Sequence, residues 1–492
     1  MLDAILKPPG DGAASMAPSL LAGEWLGDGS AERVGPYVRC VVSRARLAGP
    51  ADPATAADYA RIAKRHMARL APAARADILE RAAGIALDRR DDFARLIALE
   101  LGKPIKDGRG EMDRVGDTLA VCAAEARQIG GELLPVAGWR RGIGNTAMTY
   151  RAPAGVALAI TPFNAPANLL AHKLGASFAA GNTTIVKAPP QAPAVSAALV
   201  ALLVEAGAPV EAVQLLHGGG EVGAALCGLQ DVDVISFTGS AATGAAVARA
   251  AGAKRLVLEL GGNAATIVCE DADIAAAADV CARTGYSNSG QSCISVQRVY
   301  VHESRYQEFV DAFTAEVATL VVGDPLDAVT DVGSMVDDAA AERVVSWALA
   351  ARAAGAEITI GGRRDGATVY PTVVAQPPDD AAVITHEVFG ALVSVMSYVD
   401  FDDVIMRCNE SRFGLQAGLF TRDIDRILTA WRELEVGGLV INGSSNFRLD
   451  HVPFGGVKDS GFGRESPRMM IEDYTVVKTM LIRGMSIWGR DG

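Results

Sequence analysis

Between Gly155 and Leu258 short β-rich runs alternate with Ala-rich helical stretches, and this alternation restricts the fold more than any single motif. The runs cover 156–160, 183–186, 213–216, 232–237 and 255–258. A strand that rejoins a parallel neighbour needs a crossover, and repeated crossovers build a doubly wound α/β sheet whose loops at the strand C-terminal ends form a binding crevice. A second α/β stretch follows from 263 to 443, with strands expected at 297–301, 357–360, 392–396 and 438–441 and helices at 304–320 and 339–354. Ahead of both lie a Gly/Pro/Ala/Ser-rich lead-in of about 30 residues, expected to be extended, and a helical layer over 54–129 in which Tyr59, Ile62, Ala63, Met67, Ile78, Leu79, Ala82, Ile85 and Leu87 carry the apolar spacing. Residues 139–150 suit a projecting hairpin or linker, and 474–482 read as a strand beyond the domain that seeks an edge, such as one on another subunit.

Bulk properties narrow the partners. A chain of 492 residues exceeds one hydrophobic core, so a multi-part globular protein is expected. The net charge of −12 opposes nucleic-acid phosphates and anionic lipid, so neither is expected as a partner. Seven scattered cysteines with no C-x-x-C pair predict no disulfide framework and no metal site, and fit a reducing cytosol. No signal peptide and no membrane span are expected.

Several loops at strand ends hold residues that can do chemistry. Gly218, Gly220 and Gly223 match G-x-G-x-x-G, but no acidic residue ends the next strand; a tight turn or contact with a cofactor's edge fits better than a full dinucleotide fingerprint. Thr238-Gly239-Ser240 opens a helix, either as an ordinary Ser cap or as a seat for a pyrophosphate. Lys187, followed by Ala188-Pro189-Pro190, is a solvated strand end or a ligand for a nucleotide's ribose or phosphate. Asn164, in Thr161-Pro162-Phe163-Asn164-Ala165-Pro166, sits on rigid backbone and is either a turn residue or a donor to a developing oxyanion. Cys293, in the uncharged loop Gly290-Gln291-Ser292-Cys293, is reachable as a nucleophile, and Glu259 could activate water to release an acyl group.

Taken in order, these motifs resemble the aldehyde dehydrogenase superfamily from about Gly23 to Lys478, together with Glu387-Val388-Phe389-Gly390 and Pro453-Phe454-Gly455-Gly456-Val457-Lys458-Asp459-Ser460-Gly461. The resemblance implies an α/β fold with a Rossmann-type doubly wound cofactor domain (1–132 and 151–258), an α/β catalytic domain (259–457) and a small β oligomerisation arm (133–150 and 472–486). The terminal strand and the arm at 139–150 suggest a homodimer or homotetramer. By the same resemblance Cys293 attacks an aldehyde, Asn164 and the Cys293 backbone N–H hold the oxyanion, hydride leaves for a nicotinamide, and Glu259 activates the water that hydrolyses the thioester. Lys173 matches a proton-relay position. Phe163, Lys187, Gly220, Gly239, Ser240, Gly244, Glu387 and Phe389 match cofactor contacts. Pro190 stands where many NAD-dependent members carry a ribose-binding Glu, so NAD or NADP is expected. Ala391 replaces a usual Pro, a small change. The wording around Cys293 and Ala171-His172-Lys173 resembles the lactaldehyde dehydrogenase-like branch, and Arg448 and His451 are either holders of an anionic tail or solvated loop residues. A CoA-acylating relative, which would lack Glu259, and a scaffold without turnover are the competing readings.

Overall fold

The computed structural model describes residues 1–7 and 13–487. Five strands, Val156–Ile160, Thr183–Lys187, Val213–Leu216, Val234–Thr238 and Arg255–Glu259, run parallel in the first sheet. Four of them are buried along almost their whole length, as expected for strands covered by helices on both faces. The chain lays Val156–Ile160 first, adds two strands on one side, then crosses back to add two on the other. Val156–Ile160 and Val234–Thr238 are therefore neighbours at a topological switch point, where their following loops diverge and open a crevice.

Helices Pro166–Ala180 and Pro193–Glu205 cover one face of this sheet. Each starts with Pro in its first turn, where the missing N–H costs nothing. The helical layer resolves into Asp52–Arg69, Pro72–Asp88, Arg90–Leu101 and Ile105–Ala126. Ile62 and Leu87, read as part of its apolar spacing, are exposed instead. The first 30 residues also depart from expectation, with residues 8–12 lying outside those described. Leu2–Leu6 is a helix packed on Pro193–Glu205, and Ser19–Leu21 with Glu24–Leu26 forms a hairpin that pairs antiparallel with Val213–Leu216 and extends the sheet on that side. Glycine- and proline-rich composition hid an edge whose Leu20 and Leu21 are buried.

The second sheet is parallel through Thr372–Ala375, Leu392–Tyr398, Arg298–His302, Ala265–Val268, Gln416–Phe420 and Gly438–Ile441, with Glu357–Ile360 antiparallel at one edge. Three of these strands carried no distinct sequence signal. In Gln416–Phe420 the reason is Gly418: a Cβ there would lie 2.6 Å from the Gly443 carbonyl oxygen, so a residue that weakens strand propensity is required by close approach. Gly461–Phe462 returns to the first sheet and pairs with Leu258 and Glu259, which ties the C-terminal ends of the two sheets together.

Thr475–Ile482 finds its edge within its own chain. It pairs antiparallel with Thr146–Pro153, from Thr475 opposite Pro153 to Ile482 opposite Thr146, and Leu133–Leu134 adds a third strand. Tyr150, Val477, Met480 and Leu481 on this arm are exposed. Asn182 anchors the arm's base, accepting from the Gly155 N–H at 2.8 Å and donating to the Tyr474 carbonyl at 2.9 Å while itself buried. Asn182→Ala should destabilise the protein by about 1–3 kcal/mol by leaving both groups unpaired. An unchanged unfolding midpoint in calorimetry would contradict this.

Candidate active site

The strands of the first sheet end level, with Ile160 opposite Lys187 and Phe237, and Thr238 opposite Glu259. Their loops and those of the second sheet enclose a cavity of about 700 Å³. Phe163, Asn164, Lys187, Gly220, Gly239, Ser240, Glu259, Cys293, Glu387 and Phe389 all line it. Two residues expected at the site do not. Gly244 faces Leu260, where a Cβ would come within 2.4 Å of Cδ2, so its place is to let the helix Ala241–Ala251 pack closely. Lys173 is fully buried behind the wall, donating to Thr238 Oγ1 at 2.7 Å and to Glu465 Oε2 at 2.9 Å.

Cys293 is presented by a strained turn. Asn288, Ser289 and Gly290 are consecutively left-handed at φ of 50°, 55° and 71°. Each non-glycine residue held so costs on the order of 1 kcal/mol or more and persists only where surrounding contacts impose it. Here Asp107 accepts from the Asn288 N–H at 2.8 Å, Ser289 Oγ donates to the Gly333 carbonyl at 3.1 Å, and Gln291 Oε1 accepts from the Val336 N–H at 2.9 Å. Gly290 is required because a Cβ would lie 2.1 Å from the Gly390 carbonyl oxygen. The Cys293 carbonyl nests against Gly262, while its N–H donates to no acceptor among the described residues. Asn164 Nδ2 donates to the Gln291 carbonyl at 3.0 Å, which sets the asparagine beside the same loop.

Charge in the cavity is partitioned unevenly. Glu259 is buried, and neither carboxyl oxygen has a hydrogen-bond partner. Burial, then the Glu465 charge, raises its pKa well above the ordinary carboxylate value. Glu465 is equally buried, but Lys173 and Arg448 outweigh that burial and hold it down at about 2. Burial raises Glu387 to about 7, although it accepts from the Gly262 N–H at 2.9 Å. The Cys293 thiol is pushed up to about 12, first by burial and then by Glu387 and Glu259. Burial lowers the Lys187 ammonium.

At the other end the walls suit a dinucleotide. A Cβ on Gly220 or Gly223 would meet open space, and Ser240 caps Ala241–Ala251 by accepting from the Thr243 N–H at 3.3 Å, leaving a positive helix end at the cavity. Phe163 and Phe389 meet edge to face with ring centres 6.0 Å apart, and Phe389 is held at φ 47°.

A family model for the aldehyde dehydrogenase family matches residues 25–480. The chain belongs to the aldehyde dehydrogenase family. It oxidises an aldehyde to a carboxylic acid with NAD or NADP. Among its relatives, 3-sulfolactaldehyde dehydrogenase of Priestia megaterium is 44% identical over 84% of this chain and 86% of its own. Lactaldehyde dehydrogenase of Methanococcus aeolicus is 32% identical over 94% and 98%. Aldehyde dehydrogenase 21 of Physcomitrella patens, solved with the reaction product succinate, superposes with a TM-score of 0.93 at 32% identity, covering 96% of this chain and 100% of that one. The expected placement in the lactaldehyde dehydrogenase-like branch agrees with these relatives.

Two lining residues, Glu465 and Arg343, were not singled out from sequence, and a third, Arg448, was read there as a holder of an anionic tail or a solvated loop residue. Glu465 lies beyond the last motif, and its significance comes from Lys173, distant in sequence. Arg343, on the helix Asp338–Ala353, donates to the Val388 carbonyl at 2.9 Å and faces Glu387. Arg448 is buried in the wall, donating to Glu465 Oε1 at 3.0 Å with its guanidinium 4.2 Å from the Phe454 ring centre. His451 is exposed and does not line the cavity. Because the Cys293 thiol is neutral in the free protein, its alkylation by iodoacetamide, read on the tryptic peptide 284–298, should climb about tenfold per pH unit through neutrality, following the thiolate fraction. A plateau near neutral pH would contradict a raised thiol.

Proposed function

We propose that Cys293 is the nucleophile, Glu259 the hydrolytic base, and Asn164 with the Cys293 N–H the oxyanion donors. The favoured substrate is a short aldehyde carrying an anionic group. The observation that carries the catalytic assignment is Glu259, a buried carboxyl group without a hydrogen-bond partner on the wall of the cavity that also holds Cys293. Such a group has its lone pairs free for a water, and its raised pKa makes it a stronger base than an ordinary carboxylate. A base of this kind also supports release by water over transfer of the acyl group to CoA.

The Cys293 thiol loses its proton to solvent as the sulfur adds to the carbonyl carbon, and the oxygen that gains charge is met by the Cys293 N–H and the Asn164 amide, donors fixed before reaction begins. The chemistry a bound dinucleotide supplies is acceptance of a hydride from the thiohemiacetal carbon, leaving a thioester on sulfur. Water deprotonated by Glu259 then attacks the thioester and frees the carboxylate and thiol. Lys173 acts from behind by holding Glu465 ionised, which keeps Glu259 the more basic of the two carboxyl groups. Lys187, Gly220, Gly239 and Ser240 would hold the dinucleotide's phosphates and ribose, and Phe163, Glu387 and Phe389 its nicotinamide end. Pro190 places no carboxylate beside a 2′-phosphate, so both NAD and NADP are admitted.

For the substrate, support comes from Arg448, a cation on the cavity wall that also pairs with Glu465 and Asp450, and from relatives whose names specify sulfonated or hydroxylated aldehydes. Division into a cofactor-binding part (1–132 and 151–258), a catalytic part (259–457) and an oligomerisation arm (133–150 and 472–486) fits the two large sheets and the three-stranded arm, and the exposed apolar residues on the arm support a homodimer or homotetramer. Free cysteines throughout fit a reducing cytosol, and among the described residues no helix is long and apolar enough to cross a membrane.

Cys293→Ala should abolish oxidation while cofactor binding, read by fluorescence titration, survives. Glu259→Gln should release a burst of about one reduced cofactor per site before slow turnover, because deacylation alone is impaired. Full steady-state turnover in either variant would remove the assigned role. In a panel, kcat/KM for 3-sulfolactaldehyde should exceed that for propanal by about 10–100-fold, the worth of one charge-assisted hydrogen bond. Equal values would contradict the anionic preference.

A further inference from the structure

The loop that carries Asn164 leaves the first sheet, and the loop that carries Cys293 leads into the second. An oxyanion hole assembled from both is only as well formed as the join between them. At that join Asn288 uses both hydrogens of its side-chain amide, donating to the Asn164 carbonyl at 3.0 Å and to the Gln291 carbonyl at 3.1 Å. We propose that Asn288 is a positioning residue for acyl transfer, a clamp whose side-chain amide fixes the Asn164 loop against the Cys293 loop. This rests on the roles proposed above for Asn164 and Cys293.

The surroundings make the clamp specific. Lys103 Nζ approaches the same Asn164 carbonyl at 3.3 Å and pairs with Glu111 at 2.7 Å, both nearly inaccessible to solvent. Glu111 in turn accepts from the Ala167 and Asn168 N–H groups at 2.8 and 3.1 Å, which holds the start of the helix after Asn164. The first-sheet side is thus anchored independently of Asn288. On the other side the Gln291 carbonyl receives Asn288 Nδ2 and Asn164 Nδ2 together, so one oxygen joins the two loops. Without the Asn288 amide the junction keeps, among the described residues, only the Asn164-to-Gln291 bond. That bond is made by the amide that must also meet the oxyanion, so its orientation is no longer fixed by a second contact.

The backbone supplies a clean experiment. Asn288 sits at φ 50° and ψ 34°, a region open to Gly and tolerated by Asp as well as Asn. Asn288→Gly therefore deletes the donors without adding strain, and Asn288→Asp keeps shape while turning donors into acceptors. The probe is p-nitrophenyl acetate, which needs no dinucleotide. A bond forms between Cys293 Sγ and the acyl carbon, the ester C–O bond breaks, p-nitrophenolate leaves, and the thiol proton passes to solvent. The acylation rate constant per titrated Cys293 should fall about 10²-fold in both variants, comparable to losing one oxyanion donor. NAD and NADP dissociation constants and the unfolding midpoint should stay close to the parent values, a pattern that a purely structural role would not give.

An acylation constant in Asn288→Gly within about twofold of the parent, when Asn164→Ala lowers it about 10²-fold, would overturn the clamp and leave the oxyanion assignment standing. If Asn164→Ala also leaves acylation unchanged, the oxyanion assignment itself fails, and the clamp with it.

Discussion

A carboxyl group buried with no hydrogen-bond partner is costly, and the neighbourhood of Glu259 shows what keeps it so. Two carboxyl groups share the cavity wall, and of the nearby cations Lys173 and Arg448 bond to the other one, Glu465, while Arg464 donates to the Gly456 and Gly463 carbonyls. Glu465 is driven to about 2 while Glu259 is driven upward, so one site holds a fixed anion and a basic group ready for a proton. The glycines around it serve the same end. A Cβ on Gly455 would lie 2.8 Å from Glu259 Oε1, and Gly461, at φ 108°, lets the returning chain pair with Glu259 itself.

The thiol obeys the same logic of burial and neighbouring charge. Packed beside Phe454 and near Glu387 and Glu259, Cys293 stays protonated in the free protein, which protects it from adventitious alkylation and oxidation. Positive charge entering the cavity would lower this thiol's pKa and raise its thiolate fraction. The backbone strain at Asn288 and Ser289 fixes where the sulfur is presented, and contacts from 107, 333 and 336 hold that strain in place.

The features legible in the sequence were those with local cause. Val156–Ile160 reads as a buried parallel strand because it is apolar throughout, and its loop reads as a site because prolines flank Asn164. What stayed hidden depended on distant partners. Nothing beside Glu465 in the chain announces Lys173, and nothing beside Asn288 announces Asn164. Gly244, grouped with ligand contacts by motif, answers to Leu260, a packing demand visible only when the helix is seated. The opening hairpin was masked by composition, since Ser19–Leu21 is too short for a periodic signal and is defined by the strand it covers.

The covalent route through Cys293 is tested most directly by acid-quenching Glu259→Gln during turnover with aldehyde and cofactor and weighing the tryptic peptide 284–298. The mechanism predicts that this peptide gains the mass of the substrate's acyl group, that the adduct is lost on treatment with hydroxylamine, and that it forms only when oxidised cofactor is present. An unmodified peptide under conditions where reduced cofactor has accumulated stoichiometrically would contradict it.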